Sequence, residues 1–315
     1  MKILFLTEKW TDCDPKFTLS SHYQNLFYSL SGVSAENELL YIHYDEIYYN
    51  TGKHFDEWAE DIVKQYSPDL VLSALVNMPG ISPTKKTFNI IKNSGAKTVV
   101  FWPDTHPALL NKITELYDCT DLHVSWGNES GPAINNKHIW MWAPQDDINL
   151  FYKDTQDIDI SFIGSLWQGY GNFRIKYIEY LLQNGINVFV SGGSRENKLS
   201  LEDYAKFIRQ SKIGLNFSYS PNLGTPHQCK GRVFEIVASN SLLFESKNDK
   251  TSLRFIPNEH YIEFTDEKDL LDKTNYFLKN DKERDEIANN AHKFYMEHYS
   301  SSIYWKTIFE TLGLI

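Results

Sequence analysis

The chain has 315 residues, with 31 Lys and Arg against 41 Asp and Glu and a formal net charge of −10. Hydrophobic residues at 42% and charged residues at 23% make an ordinary globular balance, which excludes a disordered or fibrous chain. The acidic excess argues against a protein held on nucleic acid or anionic lipid by bulk charge.

At roughly 150 residues per domain, the length predicts two domains. The opening MKILFLTEKW is too short for a signal peptide and reads as a strand over Ile3–Leu6. A helix follows the Ser20-Ser21 cap, with Tyr23, Leu26, Phe27 and Leu30 on its apolar face. His22, just after that cap, reads as a cap neighbour. Strands at 38–43, 70–75 and 98–102 alternate with helices at 57–66, 83–93 and 109–117, and short strands follow at 122–125 and 139–142. The polar stretch 143–157 reads as a linker. Then the pattern restarts, with strands at 158–163, 187–190, 213–217, 241–244 and 261–264. Helices are expected at 174–184, 201–209, from 232, at 268–278 and at 281–297, and a last amphipathic helix at 302–312.

Alternating strands and helices predict an α/β fold of two Rossmann-like halves, each built on a parallel sheet. The expected domains are 1–150, 151–300 and a closing helix in 301–315 that crosses back to the first. Ligands of open α/β sheets bind at the carboxyl ends of the strands, so the site belongs on the loops after strands. No apolar run approaches the ~18 residues of a membrane span. Cys13, Cys119 and Cys229 lie far apart without a CxxC pair, so they read as reduced thiols of a cytoplasmic protein rather than as zinc ligands or disulfides.

The most informative segment is 211–245. A strand there delivers a loop containing glycine and proline, which runs into a helix beginning near Gly231. Lys230 and Arg232 stand at that helix start, where the positive end of the dipole disfavours cations. Two cations in that place point to an anion between them, a phosphate or diphosphate met by backbone N–H groups, dipole and side chains together. Glu235 lies on the same helical face as Arg232 and is placed to accept from two adjacent hydroxyls, as on a ribose. The turns Gly164-Ser165 and Gly192-Gly193-Ser194-Arg195 follow the first two strands of this half. Small residues there let a ligand approach the backbone, and Arg195 adds a cation. In the first half, the loop Trp102-Pro103-Asp104-Thr105-His106-Pro107 follows a strand, and Asp104 or His106 is a candidate base for a hydroxyl. The alternative for each is an ordinary turn, cap or surface ion pair.

The block Lys230-Gly-Arg232-Val-Phe-Glu235-Ile-Val-Ala resembles the R-x-FE-x-x-A signature of the spore-maturation CgeB-like glycosyltransferases, part of the GT-B group. DISFIGS (159–165), SKIGLNFS (211–218, containing Asn216) and EIANNAHKFYMEHYSSSIYW (286–305) match further segments of that family in order, with Arg174 at the expected helix. The resemblance implies GT-B architecture and metal-independent transfer of a sugar from a nucleotide-sugar donor to a hydroxyl acceptor. It implies donor binding by Gly164, Ser165, Gly193, Arg195, Asn216, Lys230, Arg232 and Glu235. Acceptors in its reach are a glycan, a lipid-linked sugar, a protein or a modified nucleic-acid base. Retaining relatives carry two glutamates spaced E-x7-E; here Glu235 is the second, and His227 stands at the first, as a candidate catalytic residue. Retention is the expected outcome by that analogy alone. Asn240 replaces the usual glycine after the block. A non-catalytic nucleotide- or sugar-binding protein and a nucleotide-sugar epimerase are the alternatives on the same scaffold.

Two D-x-D triplets, Asp12-Cys-Asp14 and Asp157-Ile-Asp159, read as chance rather than as a metal motif. Gly169-Tyr-Gly171 lacks the third glycine of a dinucleotide fingerprint.

Overall fold

The computed structural model describes residues 1–33, 36–76, 78–103, 107–126, 137–166, 172–192, 199–219 and 227–315, with the backbone alone at 21, 33, 107–111 and 172. The chain divides into two compact units. Unit 1 comprises Met1–Ala143 with Ser301–Ile315, and unit 2 comprises Pro144–Ser300. The division falls at Ala143/Pro144 rather than at residue 150. The Gln145 amide is buried in unit 2, where it donates to the Tyr295 hydroxyl at 2.8 Å.

Unit 1 contains β1 (Lys2–Thr7), α1 (Ser21–Val33), β2 (Glu38–His43), α2 (Tyr44–Thr51), α3 (Ala59–Tyr66), β3 (Leu70–Ala74), α4 (Lys85–Ser94), β4 (Lys97–Trp102), α5 (Pro107–Leu116), β5 (Leu122–Ser125) and β6 (His138–Trp140). All pairings are parallel, in the order β2-β1-β3-β4-β5-β6. Both faces of this sheet are apolar, because side chains alternate and helices cover each side. Ile3, Phe5, Leu70, Leu72, Val99 and Phe101 point to one face, against Leu26 and Leu30 of α1. Leu4, Val71, Val100 and Trp102 point to the other, against Phe88 and Ile91 of α4. The helix α2 was not foreseen. It follows β2 without a break, carries three tyrosines, which are weak helix formers, and stops at Gly52 with φ +68°.

Unit 2 contains β7 (Ile158–Ile163), α6 (Asn172–Gln183), β8 (Val188–Ser191), α7 (Leu201–Arg209), β9 (Ser211–Asn216), α8 (Gly231–Ala238), β10 (Leu242–Ser246), β11 (Ile262–Phe264), α9 (Glu267–Phe277) and α10 (Asp281–His298). Its sheet is again parallel, in the order β11-β10-β9-β7-β8. The sheet needs Gly214: a Cβ there would stand 2.7 Å from Ile236 of α8, so this helix lies unusually close to β9. Asn240 takes φ +56°, the left-handed conformation that asparagine tolerates better than most residues.

The last helix, α11 (Ser301–Thr311), returns to unit 1. Tyr304, Trp305, Ile308 and Phe309 enter the core beside α1, and the Trp305 indole N–H donates to Ser29 Oγ at 2.9 Å.

In each sheet the strand order reverses at one point. From β1 the chain moves outward to β2 and then returns to the other side of β1 as β3. From β7 it moves to β8 and then returns as β9. The carboxyl ends of β1/β3 and of β7/β9 are therefore the two switch points, where loops diverge and leave a crevice.

Candidate functional site

The richest polar cluster of unit 2 sits at its switch point. Gly164 and Ser165 follow β7, and Asn216 ends β9. The buried Asn216 amide donates through Nδ2 to Glu245 Oε2 at 2.6 Å and accepts through Oδ1 from Arg232 Nη1 at 3.2 Å. Arg232 stands in the first turn of α8, its guanidinium 5.6 Å from the Phe162 ring centre. Lys230 is the N-cap residue of the same helix, and its Nζ donates to the Tyr219 carbonyl at 3.2 Å. Arg174, buried on α6, donates to the Ser165 carbonyl at 2.8 Å and the Tyr219 carbonyl at 3.4 Å.

Three cations thus meet around two glycine-rich turns. A Cβ on Gly164 would stand 2.9 Å from Arg232 Nη2, and one on Gly192, at φ +95°, 3.1 Å from the Gly164 amide nitrogen. Glycine is needed at both places for the turns and the guanidinium to pack.

The electrostatics are those of crowded, poorly compensated cations. Burial first, and then Arg174 and Arg232, push the Lys230 ammonium down to about 7. Burial and Arg232 push the Arg174 guanidinium down to about 10. Burial pushes the Glu245 carboxyl up to about 7 against the opposing pull of Asn216 and Lys230. Among the described residues, the Nε groups of Arg174 and Arg232 are buried donors without a partner. Buried donors are nearly always satisfied, so two of them on crowded cations point to an anionic ligand.

Glu235 lies one turn beyond Arg232 and accepts from the Tyr204 hydroxyl. Burial pushes its carboxyl up, with Tyr204 and Arg232 opposing. His227 pairs with Tyr219 as an antiparallel bridge and lies 2.9 Å from Ser218 Oγ through Nδ1. Of the residues expected from the sequence, Gly164, Ser165, Asn216, Lys230, Arg232, Glu235 and His227 come to this one end of the sheet. Gly193, Arg195, Asp104 and His106 lie outside the described residues.

The description of the glycosyl transferase-like family matches residues 148–310, just over half of the chain. The chain belongs to that family. The match takes in unit 2 from residue 148 onward and most of α11, so the cation cluster lies wholly inside it.

Solved structures extend the likeness over both units of this glycosyltransferase. Anabaena HepE in complex with UDP superposes with a TM-score of 0.63 at 12% identity, over 100% of each chain. An alpha-glucosyltransferase in complex with UDP and mismatched DNA gives 0.68 at 14% identity, over 99% of this chain and 100% of the other. A glycosyltransferase from Rickettsia africae gives 0.62 at 11% identity, over 99% and 98%. These likenesses establish the GT-B fold. No curated protein sequence matches the chain significantly.

Sequence reading did not foresee three members of this polar cluster as its neighbours. Glu245 left a signal, a carboxylate at the end of an otherwise apolar strand, LLFES. Tyr204 and the inward turn of Arg174 left none, because helical spacing alone does not tell which polar side chain faces a strand end. The D-x-D carboxylates have local partners: Asp159 pairs with Lys212 at 2.6 Å, and Asp14 caps the Lys16 amide at 3.0 Å.

Gly164→Ala tests the packing directly. The added methyl displaces the Arg232 guanidinium, so the affinity of this cluster for an anion, probed by isothermal titration with a nucleoside diphosphate, is expected to fall about 10-fold or more, the worth of one charge-assisted contact. The circular-dichroism spectrum is expected to stay native. Unchanged affinity would show that Arg232 is not a ligand.

Proposed function

We propose that this member of the family transfers a sugar from a nucleotide-sugar donor to a hydroxyl acceptor, with the donor held by unit 2. The observation that carries the reading is the trio Arg174, Lys230 and Arg232, crowded at the switch point, with two buried Nε donors that have no partner among the described residues. A diphosphate fits that charge. As the bond from anomeric carbon to phosphate oxygen breaks, negative charge builds on the departing nucleoside diphosphate. Fixed cations stabilise that charge in place, which is the task a metal ion performs in other transferases. The reaction proposed is accordingly metal-independent.

Glu235 is assigned to the ribose hydroxyls, exchanging its bond from Tyr204 for bonds from the nucleoside. Gly164, Ser165, Gly193 and Arg195 are assigned to the diphosphate and sugar, with Asn216 holding Arg232 in place. His227 is assigned to the sugar side of the site. Unit 1 is assigned the acceptor, with Asp104 or His106 on the β4 loop. The motif order supports assignment to the CgeB-like branch, and the three free, buried cysteines are consistent with a cytoplasmic enzyme. Among the described residues, no helix is long and apolar enough to cross a membrane. The acceptor belongs to the set of glycans, lipid-linked sugars, proteins and modified nucleic-acid bases. UDP is the first nucleotide to test, because HepE and the alpha-glucosyltransferase were solved with it.

The test is a thermal-shift panel of UDP, GDP, TDP, CMP and ADP with their sugars, in EDTA. A ligand at 100 times its Kd adds about 2.7 kcal/mol of stability. One nucleotide is expected to raise the melting temperature, and Glu235→Ala is expected to abolish most of the rise. No shift with any of them would overturn the donor assignment.

A further inference from the structure

Glu245 lies in β10 and pairs in register with Asn216 of β9. Both side chains are fully buried. Each carboxylate oxygen has a donor. Oε2 accepts from Asn216 Nδ2 at 2.6 Å and from Thr251 Oγ1 at 3.4 Å, and Oε1 accepts from Ser246 Oγ at 3.3 Å. Thr251 is itself fixed, because its N–H donates to Asn248 Oδ1 at 2.7 Å and its hydroxyl accepts from Asn248 Nδ2 at 3.2 Å. The carboxylate is thus held by β9, by β10 and by the loop that follows β10.

Its shortest bond runs to an amide with two unlike ends. An ionised carboxylate only accepts, so Asn216 must turn Nδ2 towards Glu245. That turns Oδ1 the other way, where it accepts from Arg232 Nη1 at 3.2 Å. A reversed amide would set Oδ1 against Oε2 and aim its NH₂ at a guanidinium, which only donates. Both contacts would fail together, with buried groups left unpaired. A proton on Oε1, towards Ser246, would leave Oε2 an acceptor, so the direction survives a change of charge. The Phe162 ring and the tight Gly164 turn limit the place of the Arg232 guanidinium by shape, whereas the amide limits it by direction.

Stability is a poor reason for this carboxylate. Burial pushes it up to about 7 even with its donors in place. Its strand, LLFES, is otherwise apolar up to that point, and an apolar side chain there would avoid the loss of hydration.

We propose that Glu245 is a positioning residue for Arg232, fixing through Asn216 the direction in which the guanidinium meets the diphosphate. This inference rests on the nucleotide-sugar reading above. Glu245 acts from behind the site and needs no contact with the ligand.

The test is a double-mutant cycle on UDP-glucose affinity, read by titration calorimetry, with the melting temperature of each protein measured beside it. Glu245→Met frees the Asn216 amide to turn, and affinity is expected to fall about 10-fold. Glu245→Gln keeps an oxygen for Asn216 Nδ2 and is expected to restore most of that loss. In an Asn216→Ala background the amide is gone, and adding Glu245→Met is expected to change affinity by about 2-fold or less. Glu245→Thr, too short to reach Asn216, takes the place of Glu245→Met in the cycle if the methionine variant does not fold. Equal losses of affinity from the Glu245 substitution in both backgrounds would overturn the proposal and leave Glu245 a structural residue of β10. A wild-type protein that binds no UDP-glucose would overturn the donor reading, and the positioning role with it.

Discussion

Lys230→Met is expected to stabilise the free protein and at the same time to disable it. In the free protein Lys230 sits beside Arg174 and Arg232, partly out of water, and its ammonium is held down to about 7. A folded value below the unfolded one means that the unfolded chain binds more protons between about 7 and the ordinary lysine value. Stability of the free protein therefore rises with pH across that window. Methionine has a similar shape and no charge, so it removes the penalty. Replacing a buried, poorly compensated charge by an apolar side chain commonly gains on the order of 1–2 kcal/mol. For a chain of this size that is a rise of about 2–8 °C in melting temperature. The gain is expected at pH 7 and fades as pH rises, vanishing only above the ordinary lysine value, where the wild-type lysine is neutral in both states. Calorimetry across pH measures it. Over the same substitution, UDP affinity is expected to fall about 10- to 100-fold, the worth of one charged contact to a phosphate. Opposite signs for stability and binding are the mark of a charge retained for function. A variant that loses stability while still binding UDP would show Lys230 to be structural.

Binding of UDP-glucose is expected to take up protons. Near neutral pH both Lys230 and Glu245 stand at about 7 in the free protein, each moved there chiefly by burial. An arriving diphosphate favours the charged lysine and the neutral carboxylic acid. Both responses bind a proton, so the sign does not depend on how the pair shares its charge. UDP-glucose is the better probe than UDP, because a diphosphate diester does not itself titrate near pH 7. Affinity is expected to weaken as pH rises above 7, by up to about 10-fold per unit for each proton coupled. Titration calorimetry in HEPES and in Tris reads the uptake as a difference in apparent enthalpy. Equal enthalpies in the two buffers would remove these groups from the donor site.

Both predictions turn on residues of unequal legibility. Lys230 and Arg232 were legible because cations at a helix start contradict the dipole, and a local contradiction is visible in one dimension. Glycines at 164 and 192 were legible because turns after strands need them. Glu245 was harder to read: one carboxylate in an apolar strand says that it is buried, but not what it faces. His22 hid its partner. In the chain it is a residue after a cap, and nothing within that helix reveals the buried carboxylate that it meets. Glu8 lies at the end of a strand 14 residues earlier, and the two meet because α1 folds back over β1.

The sequence by itself determined the alternation of strands and helices, the two parallel sheets and the strand ends at which ligands bind. Those follow from short-range causes: apolar runs buried on both faces, caps, and glycines or asparagines that take positive φ. Only the tertiary structure decided which charges meet. Sheet order is a long-range choice, and the return of the chain past β1 and past β7 makes the two crevices. The partners of a buried charge come from strands and helices far apart in the chain. Arg174, Lys230 and Glu245 acquire their displaced protonation, and the Nε groups of Arg174 and Arg232 lose their partners among the described residues, only when that packing removes the water between them.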